Sequence, residues 1–378
     1  MQNMIGIYGD WAARLAPDPP RLSFRRSEWK DVASWRRRAR QRYRESLIQP
    51  DTGPTPQALV QRHFEHDGLS IEQLNWQLPY GLPTQALVLK PAGATGPLPG
   101  ILALHDHGGN KYFGLRKITK VNNDPHSLMQ RHQAHYYGGA AWANEIAKRG
   151  YVVLVHDAFT FASRRVRLAD VPGAIKGDLT ESNPESEEEI VNYNKFAANH
   201  EHIMAKSLFS AGITWPGVFT AEDQRALDYL CSRKDVDGRR VGCCGLSGGG
   251  LRTVYLTGID ERIRCSCCVG MMTTWRDYLL NKCSTHTWMV YIPGLPADLD
   301  YPEILGLNLP SPVMVLNNHE DQLFTVPEME RADRILKEVY RKAGASDHYQ
   351  AKFYPGPHKF DREMQADAFR WFDRWLKS

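Results

Sequence analysis

The chain has 378 residues, of which 42% are hydrophobic and 24% charged. That is the composition of a globular protein large enough to bury a core without disulfide or metal staples. The formal net charge of +4, from 47 basic and 43 acidic side chains, excludes the uniformly basic coat of a non-specific nucleic-acid binder.

The charge is concentrated at the start. Residues 1–50 hold 11 Lys or Arg against 5 Asp or Glu, a net of +6, while the rest of the chain carries −2. The opening MQNMIGIYGDWAARLAPDPP lacks the basic and then apolar segments of a secretory leader. Residues 26–48 are predicted to form one helix, because Trp35, Ala39, Tyr43 and Leu47 recur four apart and make a single apolar stripe. Ser27 is the expected N-cap, and Pro50 lies just past the end. A stripe bearing Trp and Tyr needs a core to bury against, with the arginines on the wet faces. Residues 1–55 are therefore expected to be an extension docked on a larger body, its arginines facing water or a second subunit. A nucleic-acid or membrane arm is the less favoured reading.

From about residue 70 short apolar runs appear, at 86–90, 100–105, 151–156, 240–245, 264–269, 312–317 and 350–354. Several, such as ILALH, YVVLVH and PVMVLN, are apolar on both faces, which suits strands covered by helices on both sides. Helical stretches at 140–149, 221–233, 249–257, 328–343 and 362–376 alternate with them. This alternation predicts an α/β fold with a doubly wound, mostly parallel sheet over residues 56–378. No run of 18 apolar residues offers a membrane span. Residues 160–215 break the alternation with an acidic stretch at 181–189. They are read as a lid-like insertion over the C-terminal edge of the sheet, against the alternative of a solvated loop.

Seven cysteines are present. Cys265 and Cys268 form a C-x-x-C, but in a strand their alternation sends them to opposite faces, which argues against a zinc or redox pair. Unpaired thiols fit a reducing compartment, and the cytoplasm is expected.

The strongest motif is Gly245-Leu246-Ser247-Gly248-Gly249, between the strand-like RRVGCCG and the helix-like GLRTVYL. In that context G-x-S-x-G holds a nucleophilic Ser on a sharp turn, where flanking glycines leave room and the next backbone N–H can meet an oxyanion. A phosphate loop would need a Lys after the glycines, where Leu251 and Arg252 stand. A Ser hydroxyl needs a base, and the base an orienting acid, in the order Ser, acid, His for this type of site. Asp321 follows the strand-like PVMVLN and His358 follows QAKFYPGPH, each at a strand's C-terminal end. Glu320 is the alternative acid, and His319 and His348 are alternative bases. The stretch from His105 to Lys111, HDHGGNK, offers His107 or Gly108 as a second backbone donor beside Gly248. Two histidines in H-x-H with no third ligand make a poor metal site.

The residues HDHGG, WANEIAKRGYVVLVHDAF, DQRALDYLCSRKDVDGRRVGCCGLSGGG, PVMVLNNHEDQLF and GPHKFD resemble an α/β-hydrolase of the acetyl xylan esterase, cephalosporin C deacetylase and dienelactone hydrolase-like group. The resemblance runs from about residue 70 to the end. It implies Ser247 as nucleophile, His358 as base and Asp321 as its orienter. True dienelactone hydrolases carry Cys at the elbow, where this chain has Ser247.

The expected activity is therefore that of a serine carboxylic-ester hydrolase working through an acyl-enzyme on short-chain esters such as acetylated sugars. It would need no metal and no organic cofactor, and its partner would be a small-molecule ester. An amidase or peptidase, and a binding protein with a vestigial site, are the competing readings. Arg116, Lys117, Arg164 and Arg165 are expected near the entrance, pairing with the acidic insertion or favouring an anionic substrate. Trp215, Trp275 and Trp288 are either core or a sugar-stacking wall.

Overall fold

The computed structural model describes residues 2–183 and 185–377. Among them, nine strands form one sheet: β1 (Leu59–His66), β2 (Leu69–Trp76), β3 (Thr84–Pro91), β4 (Leu98–Leu104), β5 (Val152–His156), β6 (Val236–Leu246), β7 (Ile263–Val269), β8 (Val313–Asn318) and β9 (Tyr349–Tyr354). Their spatial order is β1-β2-β3-β5-β4-β6-β7-β8-β9. Pairing is parallel from β5 through β9, and antiparallel among β1, β2, β3 and β5.

The mostly parallel, doubly wound sheet is as expected, but the antiparallel edge starts earlier than the apolar runs suggest. Most of β1 is exposed, so it offers no apolar run to read. The missed signal is Asp67-Gly68, whose φ values of 51° and 75° make the tight turn of a hairpin.

Eleven α-helices accompany the described strands. They are α1 (Gly9–Leu15), α2 (Val32–Leu47), α3 (Ser127–Tyr137), α4 (Trp142–Lys148), α5 (Gly173–Lys176), α6 (Glu187–Ser210), α7 (Trp215–Ser232), α8 (Gly248–Ile259), α9 (Tyr301–Gly306), α10 (Val326–Lys342) and α11 (Arg362–Leu376). They bury an apolar cluster on each face of the sheet, and a third, smaller one holds Met129 of α3 with Ile190, Tyr193 and Phe196 of α6. Cys268 belongs to the cluster on one face and Cys265 to that on the other, as strand alternation requires.

Helix α2 is shorter than expected. Its N-cap is Asp31, whose carboxylate accepts the Ser34 N–H at 2.8 Å, so Ser27 lies outside the helix. The stripe itself holds: Trp35, Ala39, Tyr43 and Leu47 are all 0% exposed. They join the same cluster as Tyr255 and Ile304, and the Tyr43 hydroxyl donates to the Tyr255 carbonyl at 3.2 Å.

The acidic stretch is in part a helix start rather than a loop. Ser186 caps α6 by accepting the Glu189 N–H, and Glu187, Glu188 and Glu189 fill the first turn, where the helix dipole favours negative charge.

The chain leaves β4 for β5 on one side and reaches β6 on the other. The loops after β4 and β6 thus part at a topological switch point, where open α/β sheets form their crevice.

Candidate active site

Ser247 joins β6 to α8 with φ 57° and ψ −119°, a conformation costly for any residue but Gly. Its N–H is held by the Val269 carbonyl at 2.9 Å, and its own carbonyl accepts from Leu251 at 2.8 Å. The turn tolerates no bulk beside it. A Cβ on Gly249 would run into the backbone of Leu104 and His105.

Asp321 and His358 lie on the loops after β8 and β9. The His358 Nδ1–H donates to Asp321 Oδ2 at 2.6 Å, and Asp321 Oδ1 accepts the Leu323 N–H at 3.0 Å. The carboxylate is 3% exposed. Asp321 therefore holds the imidazole in the tautomer that leaves Nε2 free to take a proton. Among the described residues Nε2 is buried and has no hydrogen-bond partner. Among the described residues no hydrogen bond joins Ser247 to His358. The ring lies against Gly270, which follows the strand that holds the Ser247 N–H; a Cβ there would stand 2.9 Å from His358 Cε1. The alternatives fall away from this pair. Glu320 and His319 are exposed, and His348 sits before β9, ring to ring with Trp375 at 4.6 Å.

The loop after β4 closes over the elbow. A Cβ on Gly248 would lie 2.9 Å from the His107 nitrogen, so the two backbones adjoin there. Asp106 is 1% exposed. Its carboxylate takes hydrogen bonds from the Tyr137 hydroxyl and from His132 Nε2 at 3.1 Å, with the Lys117 ammonium 3.7 Å away. Burial would raise its pKa, but His132 and Lys117 hold it well below the usual carboxylate range. His105 and His107 do not act as a pair. His105 uses Nδ1 toward the Asp106 carbonyl and Nε2 toward the Ala158 N–H. His107 uses Nε2 toward Glu201, and burial keeps both imidazoles neutral by lowering their pKa.

The insertion supports this loop from outside. Asn194 Oδ1 on α6 accepts the N–H groups of Lys111 and Tyr112 at 2.9 and 3.0 Å. Two turns further on, Glu201 takes His107 Nε2 at 2.9 Å, Lys111 Nζ at 2.7 Å and the Thr287 hydroxyl at 2.7 Å. Burial opposes the charge on Glu201, yet these partners hold its pKa below the ordinary range. Asn194 and Glu201 carry no motif, and only their helical register on a polar segment could have drawn notice.

The four basic residues divide. Arg116 and Arg165 meet Glu185 and Glu181 of the acidic stretch at 3.3 and 3.5 Å. Arg164 is buried against Glu222 of α7 at 2.6 Å, and Lys117 is 0% exposed, so neither of these two lines an entrance. Trp215 and Trp275 are core, whereas Trp288 is 41% exposed. Among the described residues no cluster of three or more His, Cys, Asp or Glu has a metal-holding arrangement, and no helix is long and apolar enough to cross a membrane.

No protein-family model matches the chain. A curated relative, "Putative hydrolase YtaP" of Bacillus subtilis (strain 168), is 26% identical over 294 residues, covering 77% of this chain and 83% of that protein. Among solved structures, a "putative acetyl xylan esterase" from Bacteroides fragilis NCTC 9343 superposes with a TM-score of 0.66 at 17% identity, covering 93% of this chain and 83% of the other. A glucuronoyl esterase from Solibacter usitatus gives 0.60 at 15% identity, covering 91% and 93%. At these identities the superpositions establish the fold, which is that of the α/β-hydrolases.

Proposed function

We propose that the chain is a serine carboxylic-ester hydrolase acting on short acyl esters, acetyl above all, carried by a carbohydrate. The observation that carries this reading is the 2.6 Å Asp321–His358 pair, whose Nε2 is unpartnered and whose ring lies against Gly270, next to the Val269 carbonyl that holds the N–H of the strained Ser247. The esterase names borne by the solved neighbours and the hydrolase name of the curated relative support the bond type and the carbohydrate.

In the first half-reaction His358 Nε2 takes the Ser247 proton as Oγ bonds to the ester carbon. The carbonyl oxygen becomes an oxyanion, met by the backbone N–H of Gly248 and that of His107 or Gly108. The imidazolium, stabilised by Asp321, returns its proton to the departing alcohol as the C–O bond breaks, leaving Ser247 acylated. A water then gives a proton to His358 and attacks the acyl carbon. The same donors hold the second oxyanion; as it collapses the C–Oγ bond breaks, His358 returns its proton to Ser247 Oγ, and the carboxylic acid is released. One ester and one water become one acid and one alcohol.

The test is p-nitrophenyl acetate hydrolysis by wild type, Ser247→Ala and His358→Ala. Both variants should lose at least 10³-fold in kcat while remaining folded. Wild-type rates in both would remove the assignment. A panel of acetyl to octanoyl esters, with acetylated xylose and glucose, tests the short acyl group and the carbohydrate.

A further inference from the structure

Lys117 is a buried cation that no step above uses. It lies just beyond the HDHGGNK loop, is 0% exposed, and rests 4.8 Å from the centroid of the Phe161 ring. Its ammonium donates to two carbonyls at 2.8 Å each, those of Asp106 and His107. The third direction is taken up by the Asp106 carboxylate at 3.7 Å.

These two carbonyls belong to particular peptide units. The Asp106 carbonyl shares its plane with the His107 N–H, and the His107 carbonyl shares its plane with the Gly108 N–H. Neither bond is among the cis peptides. In a trans peptide the C=O and N–H point in opposite directions. An ammonium gripping both oxygens therefore turns both N–H groups away from itself, and the His107 nitrogen is the atom that adjoins Gly248. Whichever of the two donors meets the oxyanion, the same side chain fixes its plane. The positive charge also draws electron density toward the carbonyl oxygens, which strengthens the N–H groups as donors.

Resting on the esterase reading, we infer that Lys117 is a positioning residue for the oxyanion site: through the Asp106 and His107 carbonyls it orients and polarises the backbone donors at His107 and Gly108. Asp106 is the counter-ion that keeps this cation buried, and His132 and Tyr137 in turn hold Asp106. Burial lowers the Lys117 ammonium to a pKa of about 8, opposed chiefly by Asp106 and Asp157, so it is charged at neutral pH.

The experiment compares Lys117→Met with wild type and Ser247→Ala. It uses p-nitrophenyl acetate turnover, titration of active sites with a fluorophosphonate, and inhibition by trifluoroacetophenone. Ser247 adds to that ketone to give a tetrahedral oxyanion. The expected result for Lys117→Met is a kcat 10- to 100-fold lower per titrated site, with KM within twofold. The trifluoroacetophenone inhibition constant should rise by the same factor as kcat/KM falls. A purely structural role would lower the titrated fraction and leave turnover per site unchanged, and that result overturns the inference. Should Lys117→Met not fold, Lys117→Gln carries the same comparison: it keeps a donor and removes the charge, and at least a fivefold loss of kcat per site is expected. A Ser247→Ala variant that keeps activity would instead overturn the esterase reading itself.

Discussion

Asp321→Asn separates an orienting acid from a merely buried one. Asp321 serves two donors at once, with Oδ1 toward the Leu323 N–H at 3.0 Å and Oδ2 toward His358 Nδ1 at 2.6 Å. Asn has one acceptor oxygen and one NH₂ to offer. The peptide N–H can only donate, whereas imidazole can exchange its tautomer. The amide oxygen therefore goes to Leu323, and the NH₂ faces Nδ1. That arrangement moves the ring proton to Nε2, which can then no longer accept from Ser247. The expected loss is about 10⁴-fold in kcat, or about 5 kcal/mol of transition-state stabilisation. The assay is p-nitrophenyl acetate kcat and KM across pH 6–9, with thermal unfolding as the control for folding. A folded variant within tenfold of wild-type kcat would refute the reasoning, because it would mean that the tautomer held by Asp321 is not the one that works.

Three other outcomes follow from the geometry. Glu303 is fully buried beside the Ser23 hydroxyl and Arg25, and burial pushes its pKa from 4.5 up to about 7, against the pull of Arg25. The folded state thus binds the proton more tightly than the unfolded one, so this group's stabilisation is complete below about pH 4.5 and is lost as pH rises to about 7. Between pH 5 and 8, Glu303→Gln should gain up to about 3 kcal/mol relative to wild type, read as the difference between their unfolding free energies; parallel curves would contradict this. Asn194→Ala removes the acceptor shared by Lys111 and Tyr112. It should cost about 1–3 kcal/mol in denaturant unfolding and lower kcat severalfold, since the loop carrying the proposed oxyanion donors loses its outer support. Leu47→Ala, at a position 0% exposed, should cost about 2–5 kcal/mol in one cooperative transition. A separate early transition would show instead that α2 folds independently.

The strained turn at Ser247 and the Asp321–His358 pair were legible because such geometry leaves a local mark: glycines where a turn allows no bulk, and polar groups just past apolar strands. The stripe on α2 was legible for the same reason, since Trp35, Ala39, Tyr43 and Leu47 repeat at the helical period. What escaped notice was whatever depends on distant pairing. Lys117 and Arg164 look like surface cations in one dimension, yet they are buried where the Asp106 carboxylate of the loop after β4 and Glu222 of α7 meet them. The start of α6 was hidden by its own acidity. A run of Glu suggests solvation unless the Ser186 cap and the helix dipole are weighed together.

The pairing of β4 with β6 sets Leu104 beside Gly245 across some 140 residues of chain. His107 and Gly248 become neighbours through that register, while Asp321 and His358 are delivered by two further strands. Regained turnover during refolding is thus a late signal, appearing only after the slowest long-range closures and well after helical circular dichroism has recovered.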